Sequence, residues 1–201
     1  MLCVKNLSCT KGDRTLFSRL DFSVPAGTWL HVRGENGAGK TSLLRLLAGL
    51  GAAADGVIEW QGQPVDGVRD DFVRELLYLG HQPALKEDLT PFENLTHAAE
   101  LDARPVGAQD LLRALRRMGL QGREDLPVRV LSAGQKRRVM LTRLLTRRAS
   151  LWVLDEPFTA LDARACALVA ELLQAHLQAG GAAVLTSHQD IAVPEGRSLV
   201  L

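Results

Sequence analysis

Apolar and polar positions change period several times along the chain, and each change predicts an element. Residues 2–7 and 15–24 read as strands: Leu20, Phe22 and Val24 alternate with Asp21 and Ser23, the two-residue period of a half-buried sheet. Gly12-Asp13 supplies the turn between them, and Pro25-Ala26-Gly27 breaks the second strand. An apolar run, Trp29-Leu30-His31-Val32, passes through a glycine-rich stretch into a helix over 40–48, which Gly49 and Gly51 stop. Val57-Ile58-Glu59-Trp60 predicts a strand and Gln61-Gly62-Gln63-Pro64 a turn. Leu76-Leu77-Tyr78-Leu79 predicts a fully buried strand ending at Gly80.

From Pro83 to Pro127 the strand signal fades. Thr90-Pro91-Phe92-Glu93 has the form of a helix start: a threonine cap, proline at the first helical position and a carboxylate in the first turn. Over 108–118, Leu111, Leu112, Leu115 and Met118 recur at helical spacing and stop at Gly119, a stripe that ordinary core packing explains. A third helix is expected over 133–148, with Val139, Met140 and Leu144 inward and its five arginines (137, 138, 143, 147 and 148) on a solvated face with local pairing. Leu151 to Leu154 then reads as a buried strand ending in Asp155, 163–179 as an amphipathic helix stopped by Gly180-Gly181, Ala182 to Thr186 as a strand, and Ser198 to Leu201 as a last edge strand. Strands alternating with helices make this an α/β chain with a helical insertion.

Composition narrows the picture. A length of 201 residues with 46% hydrophobic positions fits one domain with a good core, and a net charge of +1 excludes a broad nucleic-acid footprint. Cys3, Cys9 and Cys166 form an odd set without metal-ligand spacing, which points to a reduced compartment. Met1 to Lys5 reads as the start of a strand rather than a leader, and no uninterrupted apolar run is long enough to span a bilayer. Membrane contact is therefore expected only through a partner.

The chemistry concentrates at Gly34-Glu35-Asn36-Gly37-Ala38-Gly39-Lys40-Thr41, followed by Ser42. This is G-x-x-x-x-G-K-[ST] between a strand and a helix, the phosphate-cradling pattern of P-loop nucleotidases. Glycines let successive N–H groups turn inward around phosphate oxygens, the helix start adds its positive end, Lys40 supplies a mobile cation, and Thr41 a hydroxyl for Mg²⁺. Downstream, an apolar strand ends in Asp155-Glu156. A carboxylate at such a strand end can hold Mg²⁺ beside Thr41, and the next one can orient or deprotonate an attacking water.

Between these two motifs stands Leu131-Ser132-Ala133-Gly134-Gln135. With the loop before it and Asp155-Glu156 after it, the chain resembles ABC-type ATPases, whose signature is usually Leu-Ser-Gly-Gly-Gln; Ala133 replaces the first glycine. The resemblance covers essentially the whole chain. It implies an ABC-type nucleotide-binding domain of the P-loop NTPase fold, with an antiparallel β subdomain and an inserted helical subdomain, residues 1–82 and 128–201 forming the core and 83–127 the insertion. It further implies ATP and Mg²⁺ as cofactors, Gln82 as the glutamine that senses metal and water, Ala160-Leu161-Asp162 as a loop facing its counterpart in a dimer, and His188 as the histidine that contacts the γ-phosphate. Ser132, Gly134 and Gln135 would contact the ATP held by Lys40 of a second copy, giving a homodimer. An aromatic that stacks on adenine is expected near residues 10–14. Thr10-Lys11-Gly12-Asp13-Arg14 has none and Phe17 lies late, which leaves base stacking weak or supplied by an aliphatic or arginine contact.

Finer likeness lies in Gly80-His81-Gln82-Pro83, Leu89 to Leu95, Leu131 to Val139 and Leu151 to Asp162. These stretches resemble the ATP-binding subunits of bacterial cytochrome c maturation systems. The resemblance implies an ATPase on the cytoplasmic face of the inner membrane, working with a permease in haem export or release of a haem-loaded chaperone. The alternatives are an ATPase of another lipid, peptide or drug exporter and a soluble ABC ATPase acting on DNA or ribosomes. The second fits poorly with a single short chain that lacks heptads.

Overall fold

A computed structural model describes every residue except Ala103, Asp190, Ala192 and Glu195, and its strands sort into two sheets. β1 (Leu2–Lys11), β2 (Arg14–Val24), β4 (Asp55–Trp60) and β5 (Gln63–Pro64) form an antiparallel sheet in the order β2-β1-β4-β5. β3 (Trp29–Arg33), β6 (Leu76–Leu79), β7 (Leu151–Leu154), β8 (Ala182–Thr186) and β9 (Gly196–Val200) form a sheet in the order β6-β7-β8-β3-β9, with every pairing parallel. β7 and β8 are buried at every position and β3 at all but Arg33, so they read as unbroken apolar runs. The alternating β2 has an exposed face. This is the α/β architecture expected, with the antiparallel sheet beside the parallel one.

The chain divides into two compact units. The first, Met1–His81 with Ala149–Pro157 and Leu173–Leu201, holds both sheets, α1 (Lys40–Leu47) and α2 (Arg69–Glu75). Its core joins Leu2, Val4, Leu7 and Phe17 of the antiparallel sheet to Leu30, Val32, Val153 and Val184 of the parallel sheet, with Leu43, Leu44, Leu46 and Leu47 of α1 among them. α1 is thus fixed on both sides, which positions the loop that opens it.

The second unit, Gln82–Arg148 with Phe158–Leu172, holds α3 (Pro91–Leu101), α4 (Ala108–Arg117), α5 (Ala133–Leu141), α6 (Arg143–Thr146) and the first turns of α7 (Ala163–Gln178). α3 starts as its sequence predicts: Thr90 Oγ1 accepts from the Glu93 amide at 3.1 Å and Glu93 Oε2 accepts from the Thr90 amide at 2.8 Å. Leu95, Ala99, Leu111 and Leu115 are buried on α3 and α4, so the leucine stripe is core.

Three features differ from the sequence reading. The helix expected over 133–148 breaks at Thr142, whose amide and hydroxyl both donate to Arg138 O, and α6 ends at Thr146. Arg137 is only 4% exposed, with its Nη1 3.8 Å from Met140 Sδ, so it does not belong to a solvated face. Arg143 and Arg147 both pair with Asp102 at the end of α3, and Arg147, its side chain 7% exposed, likewise lies off any solvated face. Finally, α2 has a single strong apolar anchor and no helical period; Phe72 sets it by packing edge-on against Trp60, centroids 6.0 Å apart.

Within the first unit, His176 stacks on Trp152 with centroids 3.9 Å apart and donates through Nε2 to Ala182 O at 3.1 Å. Burial holds its pKa below the usual histidine value, against the smaller opposing pull of the Ala182 carbonyl. The neutral ring is therefore the folded form, and its contribution to stability is present above the unfolded pKa of about 6.5 and is lost as pH falls below it. Denaturant unfolding of wild type should show this acid-side decline, and His176→Gln should flatten it.

Candidate functional site

All five parallel strands end toward the same edge, and the loops that leave β3, β6, β7 and β8 there carry the predicted chemistry. Asn36, Gly37, Gly39, Lys40, Thr41, Ser42, His81, Asp155, Glu156 and His188 line one cavity of about 480 Å³, together with Lys11, Arg14 and Leu16. Gly34, Glu35 and Ala38 complete the loop. Gly34 and Glu35 contribute carbonyls at 2.7 and 3.0 Å to the Lys40 ammonium, which lies folded across them. An anion with several oxygens is a stronger partner for that ammonium than two neutral carbonyls, so the bonds are exchangeable.

Gly39 is required where it stands. Its φ is +104°, and a Cβ there would come within 3.1 Å of Leu16 Cβ and 3.2 Å of the Phe17 ring. Phe17, 7% exposed, is therefore core beneath the loop, and no Phe, Tyr or Trp lines the cavity among the described residues.

Asp155 is 2% exposed. Its Oδ2 accepts from Thr41 Oγ1 at 2.8 Å and its Oδ1 from Thr186 Oγ1 at 2.7 Å, while Asp155 N donates to Leu79 O at 2.8 Å. Thr186 Oγ1 also accepts from Glu156 N at 2.8 Å. One hydroxyl at the end of β8 thus orients both acidic residues. Sequence reasoning passed over Thr186 because a threonine ending an apolar strand has no distinguishing signal; the β7–β8 register, which pairs Leu154 with Leu185, is what sets it beside Asp155. His81, quoted only as part of a likeness, also lines the cavity.

Glu156 is 8% exposed with φ +52°, a conformation that costs a non-glycine residue about 1–3 kcal/mol. His188 Nε2 lies 3.5 Å from Glu156 Oε1. The Gln189 amide donates to Ser187 Oγ at 2.9 Å, which turns the chain around His188. A buried carboxylate facing an imidazole, beside a hydroxyl–carboxylate pair, is a donor set of hard oxygens with a base next to it.

The remaining predicted residues belong to the second unit. Gln82 opens it. Ser132 caps α5: its Oγ accepts from the Gln135 amide at 3.2 Å, and Gln135 Oε1 accepts from the Ser132 amide at 2.9 Å. Ala133 is exposed, so its methyl group is harmless. At Gly134 a Cβ would stand 2.7 Å from Ala160 O. The Ala160-Leu161-Asp162 segment is tied down from both ends, by φ +61° at Ala160 and by Asp162, whose Oδ1 caps α7 through the Ala165 amide at 2.9 Å and whose Oδ2 meets Arg138 Nη2 at 2.6 Å. The Ala165 amide, aided by the Arg138 guanidinium, holds the Asp162 carboxyl below the usual carboxylate range.

The profile of the ABC transporter family matches residues 17–159. The cytochrome c biogenesis ATP-binding export protein CcmA of Dechloromonas aromatica (strain RCB) is 50% identical over 196 residues, covering 98% of this chain and 96% of that protein. The protein of the same name from Escherichia coli (strain K12) is 47% identical over 197 residues, covering 98% and 93%. Among solved structures, an ATP-binding subunit of an ABC transporter superposes with a TM-score of 0.83 at 28% identity, over 93% of this chain and 79% of that one. A dimeric ATP-binding cassette in a post-hydrolysis state, bound to ADP and Pi, superposes with a TM-score of 0.83 over 94% and 88%; at 20% identity this is a likeness of fold alone.

Three substitutions separate these packing roles. Thr186→Val removes a buried donor and acceptor and should destabilise the protein by about 1–3 kcal/mol in chemical denaturation. Gly134→Ala should cost about 1–3 kcal/mol through overpacking, whereas Ala133→Gly, at an exposed first-turn position, should cost no more than about 1 kcal/mol.

Proposed function

This chain belongs to the ABC transporter family, and we propose that, as the ATP-hydrolysing subunit of a cytochrome c biogenesis system, it couples ATP turnover to haem export or release of a haem-loaded chaperone by a separate membrane permease. The single observation that carries the catalytic half is the pair of acidic residues on the Thr186 hydroxyl, one buried carboxylate joined to Thr41 and the next facing His188.

Lys40 exchanges its two carbonyl partners for β- and γ-phosphate oxygens, and the amides of Gly37 to Thr41 surround the phosphates. Thr41 Oγ1 and Asp155 Oδ2, two hard oxygens 2.8 Å apart, fit a Mg²⁺ donor set, directly or through water, with Gln82 as the third candidate. When bound, Mg²⁺ neutralises charge on the transferring phosphoryl group. Glu156 orients the attacking water and takes its proton, held in place by its backbone bond to Thr186. His188, largely exposed and beside Glu156, contacts the γ-phosphate.

One chain carries one loop and one capped signature helix. The reading is therefore a homodimer in which Ser132, Gly134 and Gln135 of each copy complete the ATP site of the other. The γ-phosphate links the halves, and its loss releases them, so closure follows differential affinity for ATP and ADP. Among the described residues no helix is long and apolar enough to cross a membrane, which is compatible with attachment to the inner face of the inner membrane through the permease.

The permease surface is assigned to Gln82 and the helical segment 83–127. There, Asn94, 8% exposed, gathers the backbone of Lys86, Leu89 and Thr90 through its amide and gives the 86–90 loop a fixed shape.

Glu156→Gln should retain ATP binding while lowering turnover at least about 100-fold, the contribution of a general base, and should accumulate an ATP-dependent dimer on size exclusion; wild-type turnover in that variant would refute the catalytic assignment. Asn94→Ala should weaken co-purification with the permease from detergent-solubilised membranes and leave ATP binding unchanged. Undiminished co-purification would move the coupling surface elsewhere.

A further inference from the structure

The loop between α3 and α4, one face of α4 and the end of α6 line a second cavity, of about 810 Å³. It lies wholly within the second unit and shares no residue with the phosphate-loop cavity. Asp110, Arg113, Ala114 and Arg117 recur at helical spacing on the α4 face, Arg104 stands on the loop, and Arg148 follows α6. Four guanidiniums and one carboxylate therefore share a single concavity. Its walls are tied together: Arg104 Nη1 donates to Arg148 O at 2.7 Å, and the Arg104 amide donates to Ala99 O at 3.1 Å. Val106 and Leu145, both partly buried, and the buried Ala114 give it an apolar floor.

Charge in this cavity does not cancel. Asp110 pairs with Arg113 one turn along α4, and Asp102, on the other side of the loop, pairs with Arg143 and Arg147. Among the described residues Arg104, Arg117 and Arg148 are left without a carboxylate, and the Arg104 guanidinium meets only a neutral carbonyl. Arginines spread over a convex surface repel little, because water and salt screen them. Three around one concavity with an apolar floor focus their field into it. An oxyanion reaching across them replaces that repulsion with charge-assisted hydrogen bonds, and the planar guanidinium fork matches the oxygens of a phosphate. Each phosphomonoester carries about 1.5–2 negative charges, so adjoining phosphate groups concentrate the required charge in one cavity better than carboxylates spaced along a peptide.

We propose that this cavity is a second anion site, separate from the phosphate loop, which takes a compound with adjoining phosphate groups through Arg104, Arg117 and Arg148. Asp110 limits its affinity by holding Arg113. The phosphates belong to a soluble compound or to an anionic lipid headgroup, and the chemistry of recognition is the same for both.

The test is titration of the full chain with inorganic pyrophosphate at low salt, without Mg²⁺. Wild type should bind two per chain, one on the phosphate loop and one in this cavity. Lys40→Ala should remove the first alone. In that background, Arg117→Ala or Arg148→Ala should weaken the remaining site about tenfold or more, the loss of one bond to a charged group. In the wild-type background the same changes should leave the loop site as tight as before, which also reports that the fold is intact. Asp110→Asn should tighten the cavity site about two- to fivefold by freeing Arg113, a gain that a damaged fold cannot produce. Phosphatidylglycerol vesicles separate the sources. Binding to them that needs Arg117 and Arg148 and that pyrophosphate competes away supports the headgroup; pyrophosphate binding without vesicle binding supports the soluble compound. The proposal is overturned if Lys40→Ala abolishes all pyrophosphate binding, if Arg117→Ala and Arg148→Ala leave the second site unchanged, or if Asp110→Asn fails to tighten it. Hexaglutamate bound where pyrophosphate is not would also overturn it, marking a groove for an acidic protein segment. A single wild-type site that ignores Lys40→Ala and needs Arg117 would support this proposal and sink the ATP-site reading of the loop instead.

Discussion

The buried carboxylate of Asp155 is the constraint on which the rest of the site depends. A carboxylate at 2% exposure has lost nearly all its water, and two hydroxyl donors, Thr41 at 2.8 Å and Thr186 at 2.7 Å, replace part of that hydration. Those donors come from distant parts of the chain, one from the start of α1 and one from the end of β8. The polar bonds can be this well aligned only because the strands beneath them are dry and fully packed. Removing the Thr186 hydroxyl would break its bonds to both buried acidic residues, which is costlier than losing an exposed bond.

The same arrangement explains where strain is tolerated. Glu156 and Ala160 both take left-handed backbone conformations, and the segment between them is short. Asp155 is anchored by three hydrogen bonds and the Glu156 amide by the Thr186 hydroxyl, so Glu156 keeps its direction toward His188. On the proposed reading of Glu156 as the general base, that fixed direction sets its geometry before substrate arrives.

The signature helix follows a parallel logic at smaller scale. Its capping box leaves Ser132 exposed and oriented at the tip of α5, and the close approach of Gly134 to Ala160 O seats the tip on the 160–162 segment. Ala133, which departs from the usual signature glycine, is harmless because its methyl group points outward. Gly134 has no such freedom. The distinction between two adjacent small residues lies in what each Cβ would meet.

Much of this was legible in residue order. The loop Gly34 to Thr41, the strand ending in Asp155-Glu156, the caps at Thr90 and Ser132 and the buried runs of β7 and β8 follow from local chemistry, because spacing, capping and period act over a few residues; β6 departs from its expected full burial at the half-buried Tyr78. What eluded the sequence depends on contacts across the chain. α2 exists because Phe72 finds Trp60, and Phe17 is core because Gly39 leaves it room. Thr186 reaches Asp155 because β8 lies beside β7 in one register. Local pattern decided which groups this protein carries; strand pairing decided which of them meet, since a hydrogen bond of 2.7–2.8 Å between residues 31 or 114 positions apart is a property of packing and not of sequence neighbours.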